Sequence, residues 1–157
     1  METLATFVVY GQARPKGSKT TFITDAAWAK AKREGRKPFA VSKEPDSTTQ
    51  WVRLVSQVMA QELQRPYTKE EGPLAVSVIF YFPRPKSRPT DVWYANTPDA
   101  DKLIRAIGDA GNGVAWADDK MIAYWIVRKF YTDGAARVVI RIGRPTTEDL
   151  IVDPSEP

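Results

Sequence analysis

Hydrophobic and polar residues alternate in four stretches of the chain, and each stretch predicts a β-strand. The first is "ATFVVYGQ", residues 5–12, which is rich in β-branched and aromatic residues. The second is Gly72–Pro85, where five apolar residues share one face: Leu74, Val76, Val78, Phe80 and Phe82. The last two, Met121–Tyr131 and Ala135–Gly143, are joined by Asp133–Gly134, a dipeptide that favours a tight hairpin. We therefore expect a small sheet that contains a C-terminal hairpin.

A different spacing, typical of an amphipathic helix, occupies Asp46–Leu63. Ser47 with Gln50 three residues later fits a capping box at the start of this helix. Its apolar residues recur at helical spacing and are predicted to lie in the core: Trp51, Leu54, Val55, Val58, Met59 and Leu63. The pattern indicates packing against the sheet.

A second helix is predicted to begin near Asp99. Thr97 can cap it, and Pro98 suits the first helical position. Glycines in the segment 111–113 end this helix. Its buried face is predicted to contain Leu103, Ile107 and Ala110. Residues 25–37 are either a short basic helix or an exposed basic insertion.

These elements predict an α+β fold, a small mixed β-sheet with helices packed on it. A chain of 157 residues has the usual size of one domain. We assign residues 1–145 to that single domain. Residues 146–157 are acidic, contain prolines and are predicted to be a frayed tail.

Composition excludes several kinds of chemistry. The chain has no cysteine, which excludes disulfides, thiolate zinc sites and thiol nucleophiles. It has no histidine, which excludes imidazole bases, Ser-His triads and histidine-ligated metals. Any metal site must therefore use oxygen ligands, which favours Mg²⁺, Mn²⁺ or Ca²⁺.

Charge points towards a polyanionic partner. The formal net charge is +4 and the sequence pI is about 9.3, which favours nucleic acid, although many basic proteins simply have basic surfaces. The N-terminus lacks the features of a signal peptide, and no run of about 18 apolar residues predicts a membrane span. We expect a soluble, cytoplasmic protein with no membrane partner. The basic, aromatic segment 84–98 is either a solvated loop or an arm that contacts phosphates and bases.

Five aspartates are concentrated between positions 97 and 119: Asp99, Asp101, Asp109, Asp118 and Asp119. Like charges held close together repel, so something must offset their cost. Taken singly, Asp99 and Asp101 suit a helix N-terminus, and Asp118 with Asp119 suits a turn. Taken together, the helix and the glycine-rich turn can bring the two pairs together. Converging carboxylates are relieved by a divalent cation, and such a site can hydrolyse a phosphodiester.

Cationic residues follow both pairs, at Lys102, Arg105 and Lys120. Arg105 lies four residues after Asp101, so it either forms a helical ion pair or clamps the scissile phosphate. Arg128 and Lys129 continue the basic character on the following strand, where they must point to opposite faces.

The stretch "TPDADKLIRAIGDAGNGVAWADDKMIAYWIVRKFY", residues 97–131, resembles the core of the RusA family of Holliday junction resolvases, which phages and prophages often carry. That core reads roughly D-x-D-N-L-x-K, then D-A-L, a glycine-containing turn with an aromatic residue, D-D, and a strand that ends in basic residues. The opening "VVYGQARPKGSK" is similar to the N-terminal strand and loop of some members. The basic segment 25–43 looks like an insertion.

The resemblance implies a homodimeric, Mg²⁺-dependent endonuclease that nicks four-way DNA junctions symmetrically, with Mn²⁺ as a possible substitute. It implies that Asp99, Asp101 and Asp119 bind the metal and position water, and that Arg105 stabilises the phosphate. Supporting roles fall to Asp118, Asp109 and Lys102. Candidate contacts to the DNA backbone are Lys16, Lys19, Arg84, Lys86 and Arg88. A two-fold dimer matches the symmetry of a junction, and its interface could use the stripe 51–63 or the strand "YWIVRKFY".

Three departures from the family pattern concern the helix. Lys102 replaces the usual asparagine, and Arg105 replaces the usual catalytic lysine. Arginine keeps the charge but does not readily give up a proton, so acid or base catalysis there is disfavoured. Gly111 replaces the leucine of D-A-L and is expected to loosen the packing after the helix.

Two other functions remain open on the sequence. The replacements at Lys102 and Arg105 favour a protein that binds branched or single-stranded DNA without cutting it. A protein ordered by Ca²⁺ ranks last, because the D-x-[DN]-x-[DN]-G calcium pattern is missing. The biological setting is DNA recombination, repair or phage genome processing, which all need the same chemistry.

Overall fold

Strands and helices follow one another in mixed order, and the computed structural model describes them over residues 1–17, 20–43 and 45–150. The strands are β1 (Glu2–Tyr10), β2 (Thr20–Phe22), β3 (Val41–Lys43), β4 (Leu74–Pro83), β5 (Ile122–Thr132) and β6 (Arg137–Arg144). The helices are α1 (Asp25–Arg33), α2 (Asp46–Glu62) and α3 (Ala100–Gly111). Single turns of 3₁₀ helix occur at Lys69–Glu71, Asp119–Met121 and Thr147–Leu150.

A four-stranded mixed sheet in the order β1-β6-β4-β5 is the centre of the fold. β4 is antiparallel to β6 and parallel to β5, and β1 is antiparallel to β6. Parallel neighbours need a crossover, and α3 supplies it between β4 and β5. β2 and β3 form a separate two-stranded sheet. The predicted α+β fold with a small mixed sheet is therefore confirmed.

The predicted hairpin at Asp133–Gly134 is wrong, because β5 and β6 do not pair and β4 lies between them. All five alternating apolar residues of β4 are buried, and Ala75 and Ser77 on the opposite face are buried as well. A strand buried on both faces takes the interior position of a sheet. Gly134 also lacks the positive φ that a tight type I′ turn requires.

Helices α2 and α3 pack on one face of the sheet and form the core with it. The predicted core residues Trp51, Val55 and Met59 are at most 4% exposed, and the predicted face of α3 is at most 2% exposed. Leu54 is 38% exposed, contrary to prediction, because the buried line of α2 follows positions four apart and leaves Leu54 beside it. No helix in the described ranges is long and apolar enough to cross a membrane.

The start of α2 differs from the predicted capping box. The N-cap is Pro45, which has no side chain to cap with, and Ser47 lies inside the helix. The first turn is instead closed by the backbone N–H groups of Thr48 and Thr49, which donate to the Pro45 carbonyl at 3.0 and 3.1 Å. A capping box that the pattern did not predict occurs at Thr68 and Glu71.

The opposite face of the sheet, called the outer face below, carries neither α2 nor α3. Val8, Val139 and Ile79 lie side by side across it in paired register. Val8 is 43% exposed and Tyr10 is 65% exposed. The Arg137 guanidinium lies 4.2 Å over the ring of Tyr81. The outer face therefore has an apolar centre that is accessible to solvent.

Part of the predicted tail is ordered. Residues 147–150 form a turn of 3₁₀ helix, and the ammonium group of Met1 lies 2.8 Å from the Asp149 carboxylate. Residues 151–157 lie outside the described residues.

The end of α3 is closed by close packing between Gly111 and Trp116. The N–H groups of Val114 and Ala115 donate to the Gly111 carbonyl at 3.0 and 2.7 Å, which turns the chain back. A Cβ atom on Gly111 would lie 2.3 Å from the fully buried indole of Trp116. The expected loosening is wrong, because the indole fills the space that a larger side chain would occupy.

We predict that Gly111→Ala destabilises the protein by about 3 kcal/mol, the upper range of overpacking a core. Gly108→Ala is the matched control, since it adds the same methyl group to the same helix with no atom within 4 Å. That control should stabilise the protein by up to about 1 kcal/mol through helix propensity. Urea unfolding measures both, and equal effects would contradict the packing described here.

Candidate active site

A cleft of about 240 Å³ lies against the exposed side of α3. It is lined by Asp101, Ile104, Arg105, Gly108, Asp109, Asp119 and Trp125. Asp101, Arg105 and Asp109 share this side because residues four apart are nearly one helical turn apart. Asp119 reaches it from the 3₁₀ turn before β5. The fold thus brings Asp101 and Asp119, from opposite ends of the acidic stretch, to one cleft.

Lys129 fixes the segment that leads into α3. Its Nζ donates to the carbonyls of Asn96 and Pro98 at 2.8 and 2.9 Å. Its own carbonyl accepts the N–H of Tyr94 at 3.0 Å. Burial lowers the pKa of Lys129, and the nearby Asp99 partly offsets this.

Residues 96–98 form a bend before α3, so the predicted cap at Thr97 and the predicted placement of Pro98 at the first helical position are both wrong. The N-cap of α3 is Asp99, and the helix begins at Ala100. Asp99 makes no side-chain capping bond. Its carboxylate is therefore available to groups other than the backbone N–H groups of α3.

Lysines neutralise two aspartates beside the cleft. The Lys102 ammonium lies 2.7 Å from the Asp99 carboxylate, and its hydrogen bond lowers the pKa of Asp99. The Lys120 ammonium lies 2.7 Å from Asp118, and this hydrogen bond lowers the pKa of Asp118. Asp118 also accepts the Lys120 N–H at 3.1 Å, which caps the 3₁₀ turn that carries Asp119. Both carboxylates are consequently ionised at neutral pH.

Asp109 has a lysine partner from a distant part of the chain. Lys16 forms an ion pair with Asp109, and the Lys16 N–H donates to the Lys102 carbonyl at 2.9 Å. The hydroxyl of Thr48 donates to the Pro15 carbonyl at 3.1 Å. The N-terminal loop is thereby fixed between α2 and α3, along the side of the cleft.

Within the described part of the chain, no lysine or arginine forms an ion pair with Asp101 or Asp119. Arg105 is exposed, and a Cβ atom on Gly17 would lie 3.2 Å from its guanidinium. Two carboxylates and one guanidinium therefore face the cleft without an ion-pair partner among the described residues.

The donor set suits a hard divalent cation, because it consists of carboxylate oxygens. No group of three acidic residues in the described ranges is already arranged to hold a metal ion. Asp101 and Asp119 share the cleft, whereas Asp99 is paired with Lys102. Mg²⁺ commonly binds through one or two carboxylates together with water and substrate phosphate oxygens, which matches this pair.

The remaining predicted DNA contacts either do not line the cleft or lie outside the described residues. Lys19 is outside them. Arg84 donates to Asp133 at 2.7 Å and to the Asp91 carbonyl, so it fixes the loop after β4. Arg88 pairs with Asp91 at 3.0 Å. Lys86 is exposed.

The aromatic residues of segment 84–98 divide between the core and the surface. Tyr94 stacks on Phe82 with ring centroids 4.1 Å apart, whereas Trp93 lies over Phe130 at 4.7 Å and remains 65% exposed. Arg128 and Lys129 point to opposite faces of β5, as predicted. Arg128 is exposed, whereas the Lys129 ammonium is hydrogen-bonded to the Asn96 carbonyl in the segment before α3.

Sequence reasoning missed the roles of Trp125 in the cleft and of Lys129 in fixing the loop. The signal for Trp125 was its position on the core-facing side of a strand that follows the aspartates. Lys129 gave no signal, because its acceptors are backbone carbonyls more than thirty residues away.

Comparison with known proteins gives two matches. The family model described as "Endodeoxyribonuclease RusA" matches residues 9–143, which include the cleft and the loop beside it. A Bacillus subtilis protein named "Uncharacterized protein YqaN" is 28% identical over 147 residues, and the match covers 81% of this chain and 87% of that protein.

We predict that Lys129→Met destabilises the protein by about 2 kcal/mol, since two carbonyls lose a charged hydrogen-bond donor. The neighbouring Arg128→Met is the matched control and should change stability by less than about 0.5 kcal/mol, because Arg128 is exposed. Thermal unfolding by circular dichroism measures both. Equal stability of the two variants would mean that Lys129 does not anchor the segment before α3.

Proposed function

Because the chain belongs to the RusA family of Holliday junction endodeoxyribonucleases, we propose that it resolves four-way DNA junctions by paired, symmetric nicks that depend on Mg²⁺. The observation that carries this proposal is the cleft in which Asp101 and Asp119 meet Arg105. Carboxylates that hold a cation and a guanidinium that binds phosphate are the parts that phosphodiester hydrolysis needs.

Asp101 and Asp119, joined by Asp99, would hold Mg²⁺, for which Mn²⁺ can substitute. Such an ion supplies positive charge beside the scissile phosphate and lowers the pKa of water. Asp99 can join the set once Lys102 moves away, and the exposed Asp99–Lys102 pair is held by little free energy. Lys102 then supports the site as a mobile cation beside the DNA.

Arg105 would bind the scissile phosphate and stabilise the charge that develops on it. Its planar guanidinium offers two parallel N–H donors to phosphate oxygens, and an arginine does not readily give up a proton. Proton transfer is therefore not its role. Asp118 supports the site by capping the turn that carries Asp119, and Asp109 supports it by holding Lys16.

Contacts to the DNA backbone are proposed for Lys86 and Arg88, which are exposed, and for Lys19. Lys16 and Arg84 are bound to Asp109 and Asp133 in the free protein, so they would reach DNA only by exchanging these partners. We place the reaction in the cytoplasm, in recombination, repair or phage genome processing.

A second function, binding branched or single-stranded DNA without cutting it, is favoured by one observation. Asp99 is neutralised by Lys102, a lysine where the family pattern has asparagine. If this pair persisted on DNA, the metal site would keep two carboxylates instead of three.

We predict that Asp101→Asn and Asp119→Asn each reduce nicking of an end-labelled four-way junction by about a hundredfold or more, since a metal ligand is worth several kcal/mol in the transition state. Wild type should nick in Mg²⁺ and be inactive in EDTA, as denaturing gels would show. Glu62→Gln is the control with the same change of charge, at an exposed position at the end of α2 outside the cleft.

Full activity of Asp101→Asn would refute the metal assignment. Tight junction binding by wild type without nicks in Mg²⁺ or Mn²⁺ would establish the second function instead. If the two inactive variants still bind the junction, their loss of nicking activity lies in the chemical step.

We propose that the protein acts as a two-fold dimer formed through the outer face. Paired nicks in a two-fold junction need two clefts related by a similar axis. The α2 stripe is not available for this, because Trp51, Val55 and Met59 are buried within the protomer. The outer face has an apolar centre, and the strand "YWIVRKFY" contributes Phe130 to it.

We predict that Val8→Glu yields a monomer of 17.6 kDa, whereas wild type has twice that mass by light scattering. Val8 is 43% exposed in one chain, so a carboxylate there is costly only if a second copy covers it. The variant should nick junction strands singly instead of in pairs. Gln61→Glu, at an exposed position of α2 on the opposite face of the sheet, is the control for added charge, and a wild-type mass for Val8→Glu would refute this interface.

A further inference from the structure

Residues 20–43, called the basic arm below, form a unit of their own between β1 and α2. β2 and β3 pair with each other, and α1 connects them. Neither strand belongs to the main sheet. The helix is capped by the hydroxyl of Thr24, which accepts the Ala27 N–H at 3.1 Å. Of the two possibilities left open for residues 25–37, the structure shows the short basic helix.

The arm carries a charge equal to that of the whole chain. It has two acidic residues, Asp25 and Glu34. Its six cationic residues are Lys30, Lys32, Arg33, Arg36, Lys37 and Lys43. The arm therefore has a formal charge of +4, and the whole chain also has +4, so that the rest of the protein is neutral in sum. Such segregation of charge gives one part of the surface a strong attraction for polyanions.

Large aromatic side chains are exposed among these cations. Trp28 is 56% exposed and Phe39 is 71% exposed. The Arg36 guanidinium lies 4.5 Å over the Phe39 ring and is held there by Glu34 at 2.6 Å. A hollow of about 310 Å³ beside Trp28 is lined by Lys32 and Arg36. Exposed rings between cations are typical of surfaces that bind unpaired bases and their phosphates.

The arm begins beside the candidate active site. Gly17 lies against the guanidinium of Arg105, which lines the cleft. The arm starts at Thr20, and three residues of chain span at most about 11 Å. At its other end, the arm leads into α2, where Thr48 is hydrogen-bonded to Pro15 in the same loop. DNA with a phosphate at Arg105 would therefore pass the base of the arm.

We propose that the basic arm is a DNA-binding element that grips branched DNA next to the cleft. The lysines and arginines of residues 30–37 contact backbone phosphates, and Trp28 and Phe39 stack on bases that unpair at the branch point when the protein binds. The inference rests on the proposed function for the identity of the DNA, but binding and cutting are measured separately.

The first experiment measures how junction affinity depends on salt, by fluorescence anisotropy in EDTA so that no cleavage occurs. Lys30→Gln combined with Lys32→Gln removes two exposed charges from α1. If both lysines contact phosphates, the plot of log K against the logarithm of the salt concentration should become less steep, with a slope smaller in magnitude by about 1.8. The matched control is Arg53→Gln with Lys69→Gln, two exposed cations elsewhere, which should leave the slope unchanged. An unchanged slope for the arm variant, or an equal fall in the control, would overturn the proposal.

The second experiment replaces Trp28 and Phe39 with alanine. Affinity for a four-way junction should fall roughly tenfold, because stacking on each unpaired base contributes substantially to binding. Affinity for a linear duplex of the same sequence should change less than twofold. Both side chains are exposed, so the melting temperature should stay near that of wild type. Equal losses on both DNAs, or no loss, would refute stacking at the branch point.

These outcomes separate the arm from the proposed chemistry. If wild type nicks junctions and both arm variants bind them as tightly as wild type does, the proposed role of the arm is refuted and the proposed nuclease activity stands. If junction binding depends on the arm but no metal supports nicking, the proposed nuclease activity is refuted and the role of the arm stands. A change in the mass of the aromatic variant, with unchanged DNA affinity, would mean that the arm binds a second copy of the chain.

Discussion

The interior position of β4 in the sheet is the constraint on which the site depends. Its first half, Leu74–Val78, is buried on both faces, and β6 and β5 pair with its two edges. Because β5 is parallel to β4, the chain must cross over between them, and α3 is that crossover. The crossover places Asp101 at the start of α3 and Asp119 just before β5, so that both line one cleft. A hairpin between β5 and β6 would not have placed Asp101 and Asp119 at one cleft in this way.

Lysine pairing explains how a basic protein tolerates five aspartates in one short stretch. Asp99, Asp109 and Asp118 each have a lysine partner: Lys102, Lys16 and Lys120. The two remaining carboxylates, Asp101 and Asp119, line the cleft with Arg105, and Asp109 lines it while paired with Lys16. Ion pairing therefore separates the acidic stretch into residues that stabilise the surroundings and residues that remain available to a cation. An exposed pair such as Asp99–Lys102 costs little to open, which the proposed role of Asp99 as a third metal ligand requires.

Much of the fold could be predicted from local patterns, whereas the failed hairpin prediction has a tertiary cause. The alternation in β4 and the helical spacing in α3 identified core residues correctly, because burial follows strand and helix periodicity. The pairing of β5 could not be read locally, since Asp133–Gly134 favours a hairpin that the burial of β4 overrides. For the site, the clustering of aspartates was visible in sequence. Which of them are neutralised was not, because Lys16 lies far from Asp109 along the chain.

The distribution of charge also bears on how such a site could engage DNA. Between Thr97 and Lys120 the chain has five aspartates against Lys102, Arg105 and Lys120, a formal charge of −2. A phosphate entering the cleft therefore meets net repulsion until a cation binds. Attraction must come from elsewhere in the chain, and the +4 of residues 20–43 begins within three residues of Gly17, beside Arg105. In the proposed function, the acidic cleft and the basic arm have separate roles, since the arm holds the polyanion while the carboxylates stay free to bind metal. Arginine at position 105 suits that division, because it adds phosphate affinity inside the cleft and no proton chemistry.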